Sequence, residues 1–392
     1  MSQNERIYFD YNASAPLLDC ARAAVHDALT WVGNASSVHF EGRNTRKHLE
    51  NARKQVADLV EATTANVIFT SGATEAANHA LSPVVRAGGQ ELSISKLYVG
   101  ATEHPCVLNG GRFSKESVQH LDVDGNGLVD IAALRLCLEQ HDYTAGMPMV
   151  AVQLANNETG VIQPVAEIAS LVHAHDGFLV VDAVQALGKL PISMIETGAD
   201  FLFLSSHKIG GPQGAGALVL ANGALSPKPL FSGGGQESYH RGGTENIAAI
   251  VGFGAACEWH AENLTENIKK YSLRDSIEKG LSTISLEAGN GIPQPVFFGK
   301  SVLRLDNTSC FAVDGIKAET ALVGLDLDGI SISSGSACSS GKVKQSHVLE
   351  AMGASTTEMA GALRISVGWN STKKEADRFL DAWKTIIGRM AA

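Results

Sequence analysis

The chain has 392 residues, of which 44% are hydrophobic and 18% are charged. This composition is typical of a globular protein of two or three domains, and it excludes a disordered chain and a small disulfide-stapled scaffold. Lysine and arginine number 31 against 41 aspartate and glutamate residues, which gives a net charge of −10. We therefore expect no nucleic acid partner and no binding to acidic membrane surfaces.

The sequence predicts neither a secretory signal nor a membrane span. Glu5 and Asp10 lie where a signal peptide needs a basic stretch followed by an apolar run. No uncharged apolar segment of the sequence is long enough to cross a bilayer. We therefore expect a cytoplasmic protein with no membrane partner.

Short apolar strands alternate along the chain with stretches of helical period. The first clear unit is a strand at 66–70, which leads through Gly72 into a helix from about Thr74. Another helix is predicted over 165–173. Further buried strands are predicted at 97–99, 149–154, 178–181, 201–204 and 217–220. This alternation predicts an α/β fold with a mostly parallel central sheet flanked by helices.

The character of the sequence changes after about Gly254. A charged helical stretch leads to short apolar runs at 303–305 and 309–313, and then to a terminal helix from Lys374. This pattern predicts a second, smaller α+β domain. We expect the large domain to comprise residues 16–257, and the small domain to comprise residues 1–15 and 258–392.

The six cysteines are scattered through the sequence without a CxxC pair. A zinc ribbon or a disulfide framework would cluster them, so neither is expected. Cys338 stands apart because residues 333–341 are almost all serine, glycine or alanine. Such a run predicts an exposed thiol on a flexible loop, with a plain surface loop as the alternative.

The segment 122–127 begins like a calcium-binding EF-hand loop. Ala133 stands where the bidentate glutamate of such a loop would be, so we favour a turn followed by a helix that Asp130 caps. His173 and His175 are two residues apart and would point to different faces of a helix. We therefore predict no metal site.

Polar residues follow three of the predicted strands, at the edge where parallel sheets bind ligands. Residues 71–75 place hydroxyls and a helix N-terminus where a phosphate could bind. Asp182 ends a strand, with Gln185 one turn further on, and Lys208 follows another apolar strand among small residues. The simpler interpretations are ordinary caps for residues 71–75 and Asp182, and a surface lysine for Lys208.

Taken together, the three segments have the parts that a pyridoxal 5'-phosphate (PLP) site requires. A helix N-terminus suits the phosphate, a carboxylate can pair with the pyridine nitrogen, and a lysine can react with the aldehyde. Their joint order along the chain is a stronger signal than any one of them. We therefore predict PLP as the cofactor.

The sequence resembles the cysteine desulfurases of the NifS/IscS type, which belong to the class V aminotransferase-like group of fold-type I PLP enzymes. The resemblance extends nearly from end to end. The segments that carry it are residues 8–13, 33–39, 71–75, 102–104, 156–160, 181–185, 205–208 and 333–338. The last, Ser-Ser-Gly-Ser-Ala-Cys, resembles the desulfurases that have a long, mobile catalytic loop.

This resemblance implies four residues for the chemistry. Lys208 would bind the cofactor covalently, and Asp182 would pair with its pyridine nitrogen. His104 would stack on the ring and act as an acid or base. Cys338, carried by the small domain, would attack the sulfur of the substrate.

The resemblance also implies the residues that bind the cofactor and the substrate. Asn157 and Gln185 would hydrogen-bond around the substrate and the ring oxygen, and Arg364 would bind the substrate carboxylate as a bidentate pair. Thr244 would contact the phosphate of the neighbouring subunit, which implies a homodimer. The other phosphate-binding residues would be Ala73, Thr74, Ser205 and His207.

The activity that the resemblance implies is PLP-dependent removal of sulfur from L-cysteine. The products would be L-alanine and a persulfide on Cys338, from which a sulfur-acceptor protein would take the sulfur, for example in iron–sulfur cluster assembly. A selenocysteine lyase, or another aminotransferase- or kynureninase-like enzyme of class V, is an alternative. A non-catalytic scaffold is another, and the presence of Lys208, Asp182, His104 and Cys338 argues against it.

Overall fold

A computed structural model describes residues 6–288, 292–334 and 345–391, with side chains to residue 388. Cys338 lies outside these residues. The strands are β1 (Ile7–Tyr8), β2 (Val67–Thr70), β3 (Val84–Ala87), β4 (Gln90–Gly100), β5 (Val118–Leu121), β6 (Met147–Gln153), β7 (Phe178–Asp182), β8 (Phe201–Ser205), β9 (Gly216–Leu220), β10 (Leu225–Pro227), β11 (Val296–Phe297), β12 (Thr308–Ala312), β13 (Ile330–Ser331), β14 (Ser333–Ser334) and β15 (Leu363–Ser366).

The helices cover the sheets and connect successive strands. They are α1 (Asp19–Ala28), α2 (Phe40–Leu59), α3 (Ala73–Ala80), α4 (Pro105–Leu108), α5 (Ile131–Glu139), α6 (Val165–His173), α7 (Met194–Thr197), α8 (Ile247–Tyr271), α9 (Leu273–Glu287), α10 (Ala318–Leu327), α11 (His347–Ala351), α12 (Thr356–Gly361) and α13 (Lys373–Ala391). The helix predicted over 165–173 is α6. Asp130 Oδ1 accepts a hydrogen bond from the Ala133 N–H (2.9 Å) and caps α5, as predicted.

The largest sheet has nine strands in the order β10-β3-β4-β6-β7-β8-β9-β2, and β5 pairs with the second half of β4. The pairings make β3 and β9 run against the other seven strands. The sheet is therefore mostly parallel, as predicted. The predicted strands correspond to β2, β4, β6, β7, β8 and β9.

The central strands are buried on both faces. In β7, Leu179 and Val181 pack into one hydrophobic cluster and Val180 packs into another on the opposite face. Because both faces are covered, these strands are continuous apolar runs without a polar side, which is why the sequence identified them. On one face α8 packs against α2, where a side chain in place of Gly254 would come within 2.7 Å of Ala52 Cα.

The remaining strands form two smaller sheets around a separate hydrophobic cluster. Strands β11, β12, β15 and β14 form an antiparallel sheet, and β1 pairs in parallel with β13. The cluster includes Phe9 from the start of the chain and Phe311, Phe379 and Trp383 from its last third. The N-terminal segment therefore packs with the C-terminal part of the chain, and it passes close to the ligand-binding edge of the large sheet.

Two kinds of feature were not found in the described residues. In residues 6–288, 292–334 and 345–391, no helix is both long and apolar enough to cross a bilayer. Within the same residues, no cluster of three or more His, Cys, Asp or Glu side chains could hold a metal ion.

Candidate active site

The three polar segments predicted from the sequence meet at one edge of the large sheet. Strands β2, β7 and β8 run in the same direction and end at Thr70, Asp182 and Ser205. Thr70 and Ser205 both pair with Gly216 of the strand between them. A Cβ atom at Gly216 would lie 2.7 Å from Gly72 Cα, so glycine there lets the start of α3 approach the sheet.

Lys208 lies in a short 3₁₀ turn, Ser206–Lys208, directly after β8. Its Nζ donates hydrogen bonds to the carbonyl oxygens of Asn12 (2.6 Å) and Ala13 (2.9 Å). Burial and the charge of Arg364 lower the pKa of Lys208 to about 8, against smaller opposing effects of nearby carboxylates. A substantial fraction of this amine is therefore neutral near physiological pH, the form that attacks an aldehyde.

Asp182 is a buried carboxylate at the end of β7. Its Oδ1 accepts a hydrogen bond from the Val184 N–H (2.9 Å). Burial raises the pKa of Asp182 to about 6, although that N–H and the charge of Lys208 oppose the rise. Asp182 is thus ionised at neutral pH, and no described lysine or arginine forms an ion pair with it. Such a carboxylate can hold a pyridinium N–H.

A second buried carboxyl group, Glu103, lies near Asp182. Its Oε1 accepts a hydrogen bond from the Gln153 N–H (2.7 Å), and its Oε2 has no partner among the described residues. Burial and the charge of Asp182 raise the pKa of Glu103 well above its usual range. This shift favours the neutral form of Glu103.

The start of α3 leaves hydrogen-bond donors free. Its N-cap residue is Gly72, which has no side chain to cap the helix. The Ser71 N–H donates to Glu75 Oε2 (2.8 Å), whereas the Ala73 and Thr74 N–H groups donate to no acceptor within the described residues. The helix is therefore not capped by serine or threonine, the simpler interpretation of its sequence, and its N-terminus is open to an anion.

His104 is the N-cap residue of α4, and its position fixes the proton on its ring. The Cys106 N–H donates to Nδ1 (3.2 Å), and the Cys106 thiol lies 3.1 Å from the same atom. A neutral imidazole that accepts at Nδ1 carries its proton on Nε2. Desolvation and the charges of Lys208 and His347 lower the pKa of His104, so the neutral ring is the favoured form.

Arg364 extends from β15, in the smaller antiparallel sheet, towards Asn157. Its Nη2 donates to Asp10 Oδ1 (2.7 Å), its Nη1 donates to the Asn157 carbonyl oxygen (3.0 Å), and its buried Nε has no partner among the described residues. Asp10 neutralises the guanidinium group without using all of its donors. Arg364 can therefore still bind a carboxylate.

The other predicted residues differ in their placement. Ser205 is buried at the end of β8, and His207 Nδ1 lies 3.3 Å from Ser14 Oγ. Burial and the charge of Lys208 lower the pKa of His207 to about 4, so its ring is neutral. Thr244 is exposed and lines a cleft with Thr70 and Ser71. Cys338 lies outside the described residues.

The residues present fit PLP. The free N–H groups of Ala73 and Thr74 suit a phosphate. Asp182 suits the pyridine nitrogen, and Lys208 suits the aldehyde. The predicted cofactor therefore agrees with the donors and charges of the site.

Asn12 and Lys189 are among the residues of the site that were not predicted. Asn12 lies in residues 8–13, which carried the resemblance, and Lys189 follows four residues after Gln185. Both are buried, with 1% and 8% of their surfaces exposed. The signal that could have identified Lys189 is a lysine within a run of apolar residues, Ala186–Pro191, where exposure is not expected.

The comparison with known families agrees with this geometry. Residues 7–379 match the family described as aminotransferase class-V. The chain belongs to this family.

The similarity to relatives of this class V chain covers nearly its whole length. A cysteine desulfurase from Cereibacter sphaeroides is 37% identical over 394 residues, which cover 99% of this chain and 97% of the relative. Cysteine desulfurase IscS from Dictyoglomus turgidum is 34% identical over 98% of this chain and 95% of the relative. A NifS-like protein from Rickettsia africae has a TM-score of 0.83 and 30% identity, covering 97% of this chain and 99% of that protein.

These similarities confirm four of the predictions. The family resemblance and the α/β fold are confirmed, the protein is an enzyme, and its cofactor is PLP.

Proposed function

We propose that the protein is a PLP-dependent cysteine desulfurase, which converts L-cysteine to L-alanine and leaves the sulfur as a persulfide on Cys338. The observation that carries this proposal is the near full-length similarity to proteins named cysteine desulfurase. The Ser-Ser-Gly-Ser-Ala-Cys run supports it, because an aminotransferase has no need for that thiol. A selenocysteine lyase is less favoured, since the relatives carry the desulfurase name.

Different residues of the site bind the cofactor and the substrate. Bound PLP withdraws electrons from the Cα atom of the amino acid attached to it. Lys208 would bind the aldehyde carbon of the cofactor, and Asp182 would pair with its pyridine nitrogen. The start of α3 would bind its phosphate. Arg364 orients the substrate through its carboxylate, and Asp10 and the Asn157 carbonyl keep the guanidinium group aimed at that position.

The sulfur transfer needs a nucleophile and a source of protons. The Cys338 thiolate attacks the substrate sulfur, an S–S bond forms, and the C–S bond breaks with its electron pair remaining on carbon. That carbon then takes up a proton to give alanine. His104 carries its proton on Nε2, and Lys208 with a pKa of about 8 exchanges protons readily, so these are the groups that move protons near the substrate.

The test of this function starts with the purified protein and its visible spectrum. Cysteine is then added, and alanine and protein-bound sulfane sulfur are measured together. We expect both products in equal amounts in the first turnover, and none from Lys208→Ala. Borohydride reduction followed by peptide mapping should place the pyridoxyl group on Lys208. Alanine release from selenocysteine but not from cysteine would contradict the proposal.

We also propose a homodimer with an active site shared between subunits. The support is the exposed position of Thr244 between Gly243 and the N-cap residue Asn246, where a segment of one subunit can extend to another. If Thr244→Ala and Lys208→Ala are each inactive, mixing them should restore activity in heterodimers. Subunit exchange without recovery of activity would contradict a shared site.

The remaining proposals concern organisation and partners. We propose two domains, residues 16–257 and residues 1–15 with 258–392, in a cytoplasmic protein that passes sulfur to an acceptor protein. The separate hydrophobic cluster around Trp383 supports the second domain. Limited proteolysis would test the boundary, and co-purification of radiolabelled sulfur with a second protein would test the acceptor.

A further inference from the structure

A second lysine, Lys189, is buried behind the candidate cofactor site. Its Nζ donates hydrogen bonds to Asn12 Oδ1 (2.8 Å) and to Gln185 Oε1 (2.7 Å). Among the described residues it forms no ion pair with a carboxylate, and burial lowers its pKa well below the usual range. Burying an amine without a counter-charge lowers the stability of the fold. The contacts that Lys189 makes therefore need an explanation.

Lys189, Gln185 and Asn12 form a closed circuit of three hydrogen bonds. Lys189 contacts both partners, and Gln185 Nε2 donates to the Asn12 carbonyl oxygen (3.0 Å). That carbonyl oxygen can only accept, so the side-chain amide of Gln185 must face it with nitrogen and face Lys189 with oxygen. The orientation holds whether the Lys189 amine is charged or neutral, because either form can donate.

The circuit also reaches Lys208. The Asn12 carbonyl oxygen that accepts from Gln185 is the one that accepts from Lys208 at 2.6 Å. The Asn12 side-chain oxygen accepts from Lys189 and from Asn307 (3.3 Å), and its Nδ2 donates to the Asn157 carbonyl oxygen (3.1 Å). A change at Lys189 can therefore act through Asn12 on both Lys208 and Asn157.

We propose that Lys189 is a positioning residue that holds the Gln185 amide nitrogen against the Asn12 carbonyl, so that its second N–H is available to PLP, and that keeps this carbonyl against Lys208. The proposal rests on the assignment of PLP to this site. Without Lys189, Gln185 Oε1 loses its donor, and of these contacts the one from Nε2 to the Asn12 carbonyl oxygen is left to orient the amide. The amide N–H that would donate to the cofactor is then held less firmly.

An effect of the charge of Lys189 on the cofactor is a second explanation that the experiment must test. The charges of Lys208 and Arg364 both act on it. Removing a cation there could change the titration of the bound cofactor by charge alone, without any role for Gln185. Coupling between Lys189 and Gln185 separates the two explanations, because an effect of charge alone persists when Gln185 is replaced.

The experiment is a pH titration of the visible absorbance of bound PLP in the holoenzyme, combined with the affinity of the apoenzyme for PLP. For Lys189→Met we expect the titration midpoint to rise by about half a unit to one unit and the affinity to fall about three- to tenfold, the scale of one hydrogen bond. Gln185→Leu should give a similar rise in the titration midpoint. Adding Lys189→Met to Gln185→Leu should raise the midpoint no further. Lys189→Arg, which keeps the donors, should remain near the wild-type midpoint.

An unchanged midpoint and affinity in Lys189→Met would overturn the proposal. A full additional rise in the Gln185→Leu background would also overturn it, because the effect would then be one of charge. If Lys189→Met does not fold, Lys189→Gln retains one donor and should give a smaller rise in the same direction. A wild-type protein that shows no PLP absorbance at all would instead refute the function proposed above.

Discussion

The lowered pKa of Lys208 makes a kinetic prediction for the binding of PLP to the apoenzyme. Only the neutral amine attacks the aldehyde, so the rate of covalent capture follows the neutral fraction of Lys208. With a pKa of about 8 in place of 10.5, about one amine in ten is neutral at pH 7 instead of about one in three thousand. The capture rate at pH 7 should therefore exceed that of an ordinary lysine by about 300-fold from this cause alone.

The assay is stopped-flow absorbance after apoenzyme is mixed with PLP over a range of pH. Below about pH 8 the capture rate should rise roughly tenfold per unit, and above it the rate should be constant. Lys208→Ala gives the background from other lysines. Arg364→Gln removes a cation that lowers this pKa, so its midpoint should lie higher than in the wild type. A rate that keeps rising tenfold per unit up to about pH 10 would refute the reasoning.

Three further changes test other parts of the molecule. Cys338→Ser should keep the spectral change on adding cysteine but form no persulfide, since a hydroxyl does not ionise where a thiol does; undiminished bound sulfur would exclude Cys338 as the acceptor. Arg364→Lys should raise the KM for cysteine at least about tenfold while PLP absorbance is retained, because lysine cannot bind a carboxylate in bidentate fashion. Glu237→Gln should lower the free energy of unfolding by about 3 kcal/mol in chemical denaturation, because buried Arg53 would lose its counter-charge and one of the two oxygens that it contacts (2.5 and 2.8 Å); Glu50→Gln, which removes an exposed partner of Arg53, is the control and should cost less than about 1 kcal/mol.

Much of the large sheet could be predicted from the sequence because of how it is buried. Strands such as β7 are covered on both faces, so their residues are apolar up to the last position and the run is visible without any knowledge of its neighbours. The same argument located Asp182 and Lys208, since a charged residue stands out at the point where an apolar strand ends. The helix over 165–173 was visible through its period and lies where it was predicted.

The contacts across the site could not be predicted from the sequence. Asn12 meets Lys208 and Lys189 across separations of 196 and 177 residues, and Arg364 meets Asp10 across 354. Such pairings depend on how the N-terminal segment lies over the edge of the large sheet, which no local pattern encodes.

The sequence by itself determined six strands of the large sheet, the order of the polar segments and the chemical types available at the ligand-binding edge. Only the tertiary structure decided which of these groups share one environment. Burial then set the properties that matter for the reaction: it lowered the pKa of Lys208 and raised the pKa values of Asp182 and Glu103. These shifts depend on solvent exclusion and on charges brought together by folding, so they are properties of the assembled site and of no single segment.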